Sequence, residues 1–281
     1  MSSSDCVHNI LNCPCSKMAI SIKDHGLDET VWTALLAGCV AYDLEHGEGS
    51  LFHGLTGHHH QSGYDLGVEL LPLTPRKSEG NTHLDMALGA IATRDGTQAG
   101  IQYKRSESSM VCFVEAKMLS DISTRVEHSP IRDQMTRVME NLLCFQTHDG
   151  GQSHYPEHLV FTLLTPRLFL ENPHTRFYGF LFEEYVDDLA GHQQKLRTAI
   201  EKYALETASR RDWNYPTIAE RLPKLSMRWV CYEDLLKEFV EEYASTLWSE
   251  TYTNLVVCSK TDRHKILTGL SSLLDMSRKT G

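Results

Sequence analysis

The stretch Met110 to Met118, MVCFVEAKM, constrains this chain more than any other. Side chains alternate across a strand, so Val111, Phe113, Glu115 and Lys117 share one face, and Cys112, Val114, Ala116 and Met118 share the other. A strand that is apolar on both faces is covered on both, which predicts a buried position within a sheet. An acid and a base buried near its end are unfavourable unless they are paired or bind an ion.

The same anomaly recurs upstream. In a second strand expected over Thr82 to Thr93, Asp85 is the acid in an otherwise apolar run. If the two strands are neighbours, Asp85 and Glu115 converge, and the 30 positions between them leave room for a hairpin or an added strand. Two carboxylates of this kind are hard oxygen ligands suited to Mg²⁺ or Mn²⁺. Such an ion neutralises charge on a scissile phosphate and acidifies water. The Lys117 ammonium can orient that water or stabilise developing negative charge.

The surrounding pattern alternates helical and strand periods. A helix is expected from Glu29 to His46, with Trp32, Leu35, Leu36, Cys39 and Val40 at helical spacing, Asp28 as its cap and Gly47 as its end. Gly47 to Gly63 reads as a Gly- and His-rich loop. Further strands are expected at Tyr64 to Leu71, Ala99 to Lys104, His158 to Thr165, Phe177 to Phe182 and Leu225 to Cys231. Ser129-Pro130 reads as a helix start, with Met135, Val138, Met139 and Leu142 as the buried stripe. Later helices are expected with Leu189, Leu196, Ile200 and Tyr203 on one face, and over Glu233 to Trp248 and Lys260 to Met276. This order predicts an α/β or α+β fold, a mixed central sheet flanked by helices. A tail over residues 1–24 precedes one domain over residues 25–281, with no internal repeat or dividing linker.

Asp85, then Glu115-Ala116-Lys117 at a strand end, then a helix, resembles the PD-(D/E)XK nuclease superfamily. The resemblance covers a core of about residues 28–166 and leaves residues 167–281 as a C-terminal helical and strand elaboration. It implies a restriction-endonuclease-like fold and metal-dependent hydrolysis of phosphodiester bonds in DNA, less readily in RNA. Asp85 and Glu115 would ligate Mg²⁺ or Mn²⁺, and Lys117 would serve the attacking water. Gln134, on the following helix, would add a polar catalytic group, with Arg137 near a phosphate. Leu84 stands before the Asp where the family name has proline.

Other features fit blander roles. Gln134 and Arg137 also suit the solvated side of an amphipathic helix. Glu69 is a further candidate ligand that equally reads as outward-facing. His58-His59-His60 suits a surface loop, because consecutive side chains diverge. The acidic run Glu183, Glu184, Asp187 and Asp188 reads as a solvated helix start. Cys39, Cys112, Cys144, Cys231 and Cys258 lie in apolar segments and read as buried thiols, whereas Cys6, His8, Cys13 and Cys15 match no common zinc spacing.

The formal net charge of −10 opposes a broad electrostatic grip on nucleic acid, since phosphate contacts need Lys and Arg. That charge favours an alternative, a nuclease-fold protein that binds or scaffolds without turnover. In a third case, an unrelated α/β chain, the three residues never meet. No apolar run is long enough for a membrane span and no secretory signal opens the chain, so a cytoplasmic protein is expected. A homodimer is an arrangement open to it.

Overall fold

Strand β5 (Met110–Ala116) is buried at every position, as its two-faced apolar pattern predicts. The computed structural model describes residues 29–73, 82–106, 109–118, 120–122, 133–149, 152–191, 194–198 and 220–235. In chain order these form α1 (Glu29–His46), α2 (Ser50–Thr56), β1 (Asp65–Pro72), β2 (Leu84–Gly89), β3 (Ile91–Thr93), β4 (Gly100–Tyr103) and β5. Then follow α3 (Gln134–Leu143), β6 (Thr147–Asp149), β7 (Gln152–His154), β8 (His158–Thr165), α4 (Arg167–Glu171), α5 (Phe177–Ala190) and β9 (Leu225–Cys231).

Seven strands make one mixed sheet in the order β3-β4-β1-β2-β5-β8-β9, and β6 and β7 form a separate hairpin. β1, β2 and β5 are antiparallel neighbours, while β5, β8 and β9 run parallel. Helices cover both faces. Phe113 meets Phe145, just beyond α3, at 5.2 Å between rings, which puts Val111, Phe113 and Glu115 on the α3 face. On the other face, Thr162 Oγ1 donates to the Leu55 carbonyl of α2 at 2.9 Å. Trp229 shares the Glu115 face through the β8 register and carries Tyr178 and Phe182 of α5, so α5 lies beside α3.

Several expectations hold. α1 has the expected bounds, with Trp32, Leu36, Cys39 and Val40 buried. Met135, Val138, Met139 and Leu142 form the buried stripe of α3. Cys39, Cys112, Cys144 and Cys231 are free, buried thiols. No helix among the described residues is long and apolar enough to cross a membrane.

Others are corrected. The expected loop at Gly47–Gly63 contains α2, whose Leu51, Phe52 and Leu55 are buried and whose Leu51 N–H is accepted by Asp43 Oδ2 at 2.8 Å. Phe177–Phe182 is helix, not strand. Tyr178, Phe182 and Tyr185 recur at helical spacing, and Asp121 caps the start by accepting from the Phe177 and Tyr178 N–H groups at 2.7 and 3.2 Å. That helix ends at Ala190, so Leu189 and the buried Leu196 do not share one helix. The acids Glu183, Glu184, Asp187 and Asp188 run from its middle to its last turn and are not at its start. α3 starts at Gln134 with Asp133 as the cap, its Oδ1 accepting from Thr136 N–H at 2.9 Å. β9, from the C-terminal region, forms the edge of the central sheet beside β8. Residues 1–24, Asp28, Ser129-Pro130, Ile200, Tyr203, Cys258 and the expected helix at Lys260–Met276 lie outside the described residues, as does all of Glu233–Trp248 past residue 235.

The strand expected over Thr82–Thr93 is two strands, broken at Gly89. Its φ of 109° lies where L side chains are strained, and a Cβ there would sit 2.2 Å from the Met110 carbonyl oxygen. The break lets β3 leave β2 and pair with β4 on the far side of β1. Gly89→Ala is therefore expected to destabilise by about 2–4 kcal/mol. Gly96→Ala, at a φ of 72° with open space around it, is expected to cost about 1 kcal/mol. Urea unfolding of the two variants tests this, and equal costs would remove the steric argument.

Candidate active site

At the C-terminal end of β5 three of the residues singled out in the sequence come together. β2 and β5 pair Met86 with Val114, and one further step of that register sets Asp85 opposite Glu115. Directly opposed residues of an antiparallel pair share a face, so both carboxylates lie on the α3 side. Asp85 Oδ2 accepts from the Ala116 N–H at 2.7 Å, which fixes it at the strand end.

Lys117 follows the strand and folds back over it. Its Nζ lies 2.6 Å from Glu115 Oε1 and donates to the Ala116 carbonyl at 2.8 Å and to Glu29 Oε1 at 3.1 Å. The ammonium's three donors therefore have three partners. Glu29 was missed as a site residue in the sequence, where it reads only as the first residue of a helix. Its second oxygen accepts from the Met118 N–H at 3.1 Å and from Ser120 Oγ at 3.0 Å. Nothing in the helical period reveals that this end of α1 abuts the end of β5.

Glu115 has 0% exposure, and its Oε2 has no hydrogen-bond partner among the described residues. A buried carboxylate oxygen left unsatisfied is unfavourable. Burial pushes the Glu115 carboxyl upward, against the charges of Lys117 and Arg137. Burial and the neighbouring Glu115 charge push Asp85 up to about 8, against Lys117 and the Ala116 N–H. For Lys117, burial alone would favour the neutral amine, but Glu115, Glu29 and Asp85 outweigh it and hold the cation. The lysine is thus an ammonium that donates and cannot act as a base.

The other sequence candidates fall out differently. Gln134 is the half-buried first residue of α3. The α3 side chain whose charge acts on Glu115 is Arg137, which also donates to Thr82 Oγ1 at 3.1 Å. Glu69 is exposed, with a left-handed φ of 51° within β1, and is not among the charges that act on Asp85.

A divalent cation fits the Asp85 and Glu115 pair on two grounds: the unsatisfied Oε2, and the burial of two facing carboxyls, which raises both and which a bound cation would offset. Among the described residues no three His, Cys, Asp or Glu side chains are grouped so as to hold a metal, so the fit rests on two carboxylates. No protein-family model matches the chain, and no curated protein or solved structure matches it.

Without metal, folded Asp85 keeps its proton to about 8, whereas the unfolded chain releases it near 3.8. The native state then binds more protons than the unfolded state, so stability falls as pH rises across this window. Thermal melts in EDTA are expected to show Tm falling from about pH 5 to pH 8. Asp85→Asn should flatten that fall and melt several degrees above wild type at the alkaline end; parallel curves would refute the raised carboxyl.

Proposed function

We propose that this chain is a metal-dependent nuclease of the PD-(D/E)XK type, hydrolysing phosphodiester bonds in DNA, or less readily RNA. One observation carries the reading: a fully buried Glu115 with a free oxygen, opposite Asp85 and paired with the ammonium of Lys117. The order α1, β1, β2, β5, α3, β8 around these residues supports a restriction-endonuclease-like core, with β3 and β4 as an insertion.

Asp85 and Glu115 would hold Mg²⁺ or Mn²⁺, which supplies Lewis-acid neutralisation of phosphate charge and acidifies water. The protein's own groups do the remainder. Lys117 presents a fixed positive charge where negative charge grows on the phosphate. Glu29 anchors that ammonium from a second side, so its position does not depend on Glu115 alone. Arg137 places a further positive charge within reach of Glu115. The partial exposure of Asp85 leaves an approach for substrate at the mouth of the site.

A second reading is a nuclease-like fold retained for binding or scaffolding, which the net charge of −10 favours. Cleavage of plasmid, single-stranded DNA and RNA with Mg²⁺ or Mn²⁺ separates the two. The expected result is metal-dependent cutting that falls roughly 10²-fold or more in Lys117→Ala and Asp85→Ala. A folded wild type that cuts none of these substrates puts the binding reading ahead. Variants that cut as well as wild type would show that the trio is not catalytic.

A further inference from the structure

On the α2 face of the sheet the histidines of the 47–63 segment gather around an arginine. His58 faces His158, the first residue of β8, at 5.2 Å between rings, and His53 stacks on His59 at 4.8 Å and 16°. Arg228 of β9 reaches under them. Its Nη2 donates to the Gly54 carbonyl of α2 at 3.2 Å, and it lies against Gly57, where a Cβ would sit 2.6 Å from Nη1. Arg228 Nε is buried without a partner, and no described carboxylate pairs with the guanidinium. His53, His59 and His158 are exposed and His58 is half-buried, so the cluster opens to solvent among the described residues.

The charges around His58 have one sign. Burial disfavours its protonation most, and His158 from β8, Arg228 from β9 and His53 from α2 act in the same direction. Glu157, next to His158 in the chain, acts on Tyr64 instead. An unneutralised guanidinium among imidazoles, in a chain with a surplus of acids, is a site short of an anion. Arginine's planar fork matches an oxyanion, and an imidazole that gains a proton beside a bound anion adds a second attraction.

We propose that Arg228, His58 and His158, with His53 and His59 at the rim, form a binding site for a phosphoryl oxyanion, supplied by a nucleic-acid backbone or by free phosphate. The site is separate from the carboxylate centre. Arg228 pairs through Thr162 with Val114, on the α2 face of the sheet and not the face of Glu115, and His158 pairs with Met110, roughly 16 Å along β5 from Glu115. Binding takes up protons, so it tightens as pH falls.

The test uses the full chain in EDTA, so that binding is read without metal or cleavage and stands apart from the nuclease reading. Pyrophosphate is titrated calorimetrically and a fluorescent single-stranded oligonucleotide by anisotropy, at about pH 6 and about pH 7.5. The variants are Arg228→Gln and the double change His58→Gln with His158→Gln. Wild type is expected to bind pyrophosphate about 10-fold more tightly at the lower pH, and each variant to lose about 10-fold. A parallel loss for the oligonucleotide assigns the anion to a nucleic-acid backbone; a loss for pyrophosphate alone assigns it to free phosphate. If Arg228→Gln loses its near-UV circular dichroism, the double histidine variant decides, since it removes no buried hydrogen bond. Wild-type affinity for both probes in a folded variant, or no binding of either probe by wild type, overturns the site.

Discussion

Glu115 and the Lys117 ammonium meet within a region that water does not reach, and much of the surrounding architecture follows from keeping that pair charged. A carboxylate with no exposure needs a cation, and the cation in turn needs more than one acceptor. Lys117 obtains them from the Ala116 carbonyl and from Glu29, which brings the start of α1 to the end of β5. Arg137 approaches from α3 on the other side. Two helices thus converge on one ion pair. Asp85 adds a further acid on the neighbouring strand, leaving the site richer in carboxylate than in positive charge.

Much of the fold was legible because burial writes itself into alternation. β5 and β8 carry long apolar runs and are buried at nearly every position, and both are inner strands of the sheet. α1 and α3 carry clean helical spacing. The convergence of Asp85 with Glu115 and Lys117 also followed from strand alternation, once the two strands were taken as neighbours. Failures came where short-range pattern was ambiguous. The aromatic run of α5 suits either period over six residues, and a distant carboxylate, Asp121, caps it as a helix. α2 was hidden by the glycines and histidines around three apolar residues.

Glu29 and Arg228 show a different limit. Each is unremarkable within its own element, and each gains meaning only from what another part of the chain brings to it. Glu29 lies 88 positions from Lys117, and Arg228 lies 174 positions from Gly54. Local sequence specifies that α1 is a helix and β9 a strand. It does not specify which end of either meets a charge. Consecutive side chains diverge, which argues against the three histidines sharing one metal, and here they do diverge: His58 turns to His158, His59 to His53 and His60 to Phe52 and Tyr64. That same divergence spreads imidazoles over a surface.

The place of Glu29 at the very first residue of α1 has a consequence for how this end of the molecule moves. Helix ends open at far lower free energy than sheet interiors, because their first N–H groups lack intrahelical partners. Unwinding a single turn of α1 would carry Glu29 away from Lys117, Met118 and Ser120 while leaving β2, β5 and β8 paired. Slow amide exchange would persist in the sheet as the loop after β5 exchanged freely. The carboxylate centre rests on the sheet below and on the first turn of α1 beside it, so fraying of that one turn would open it without breaking a strand pairing.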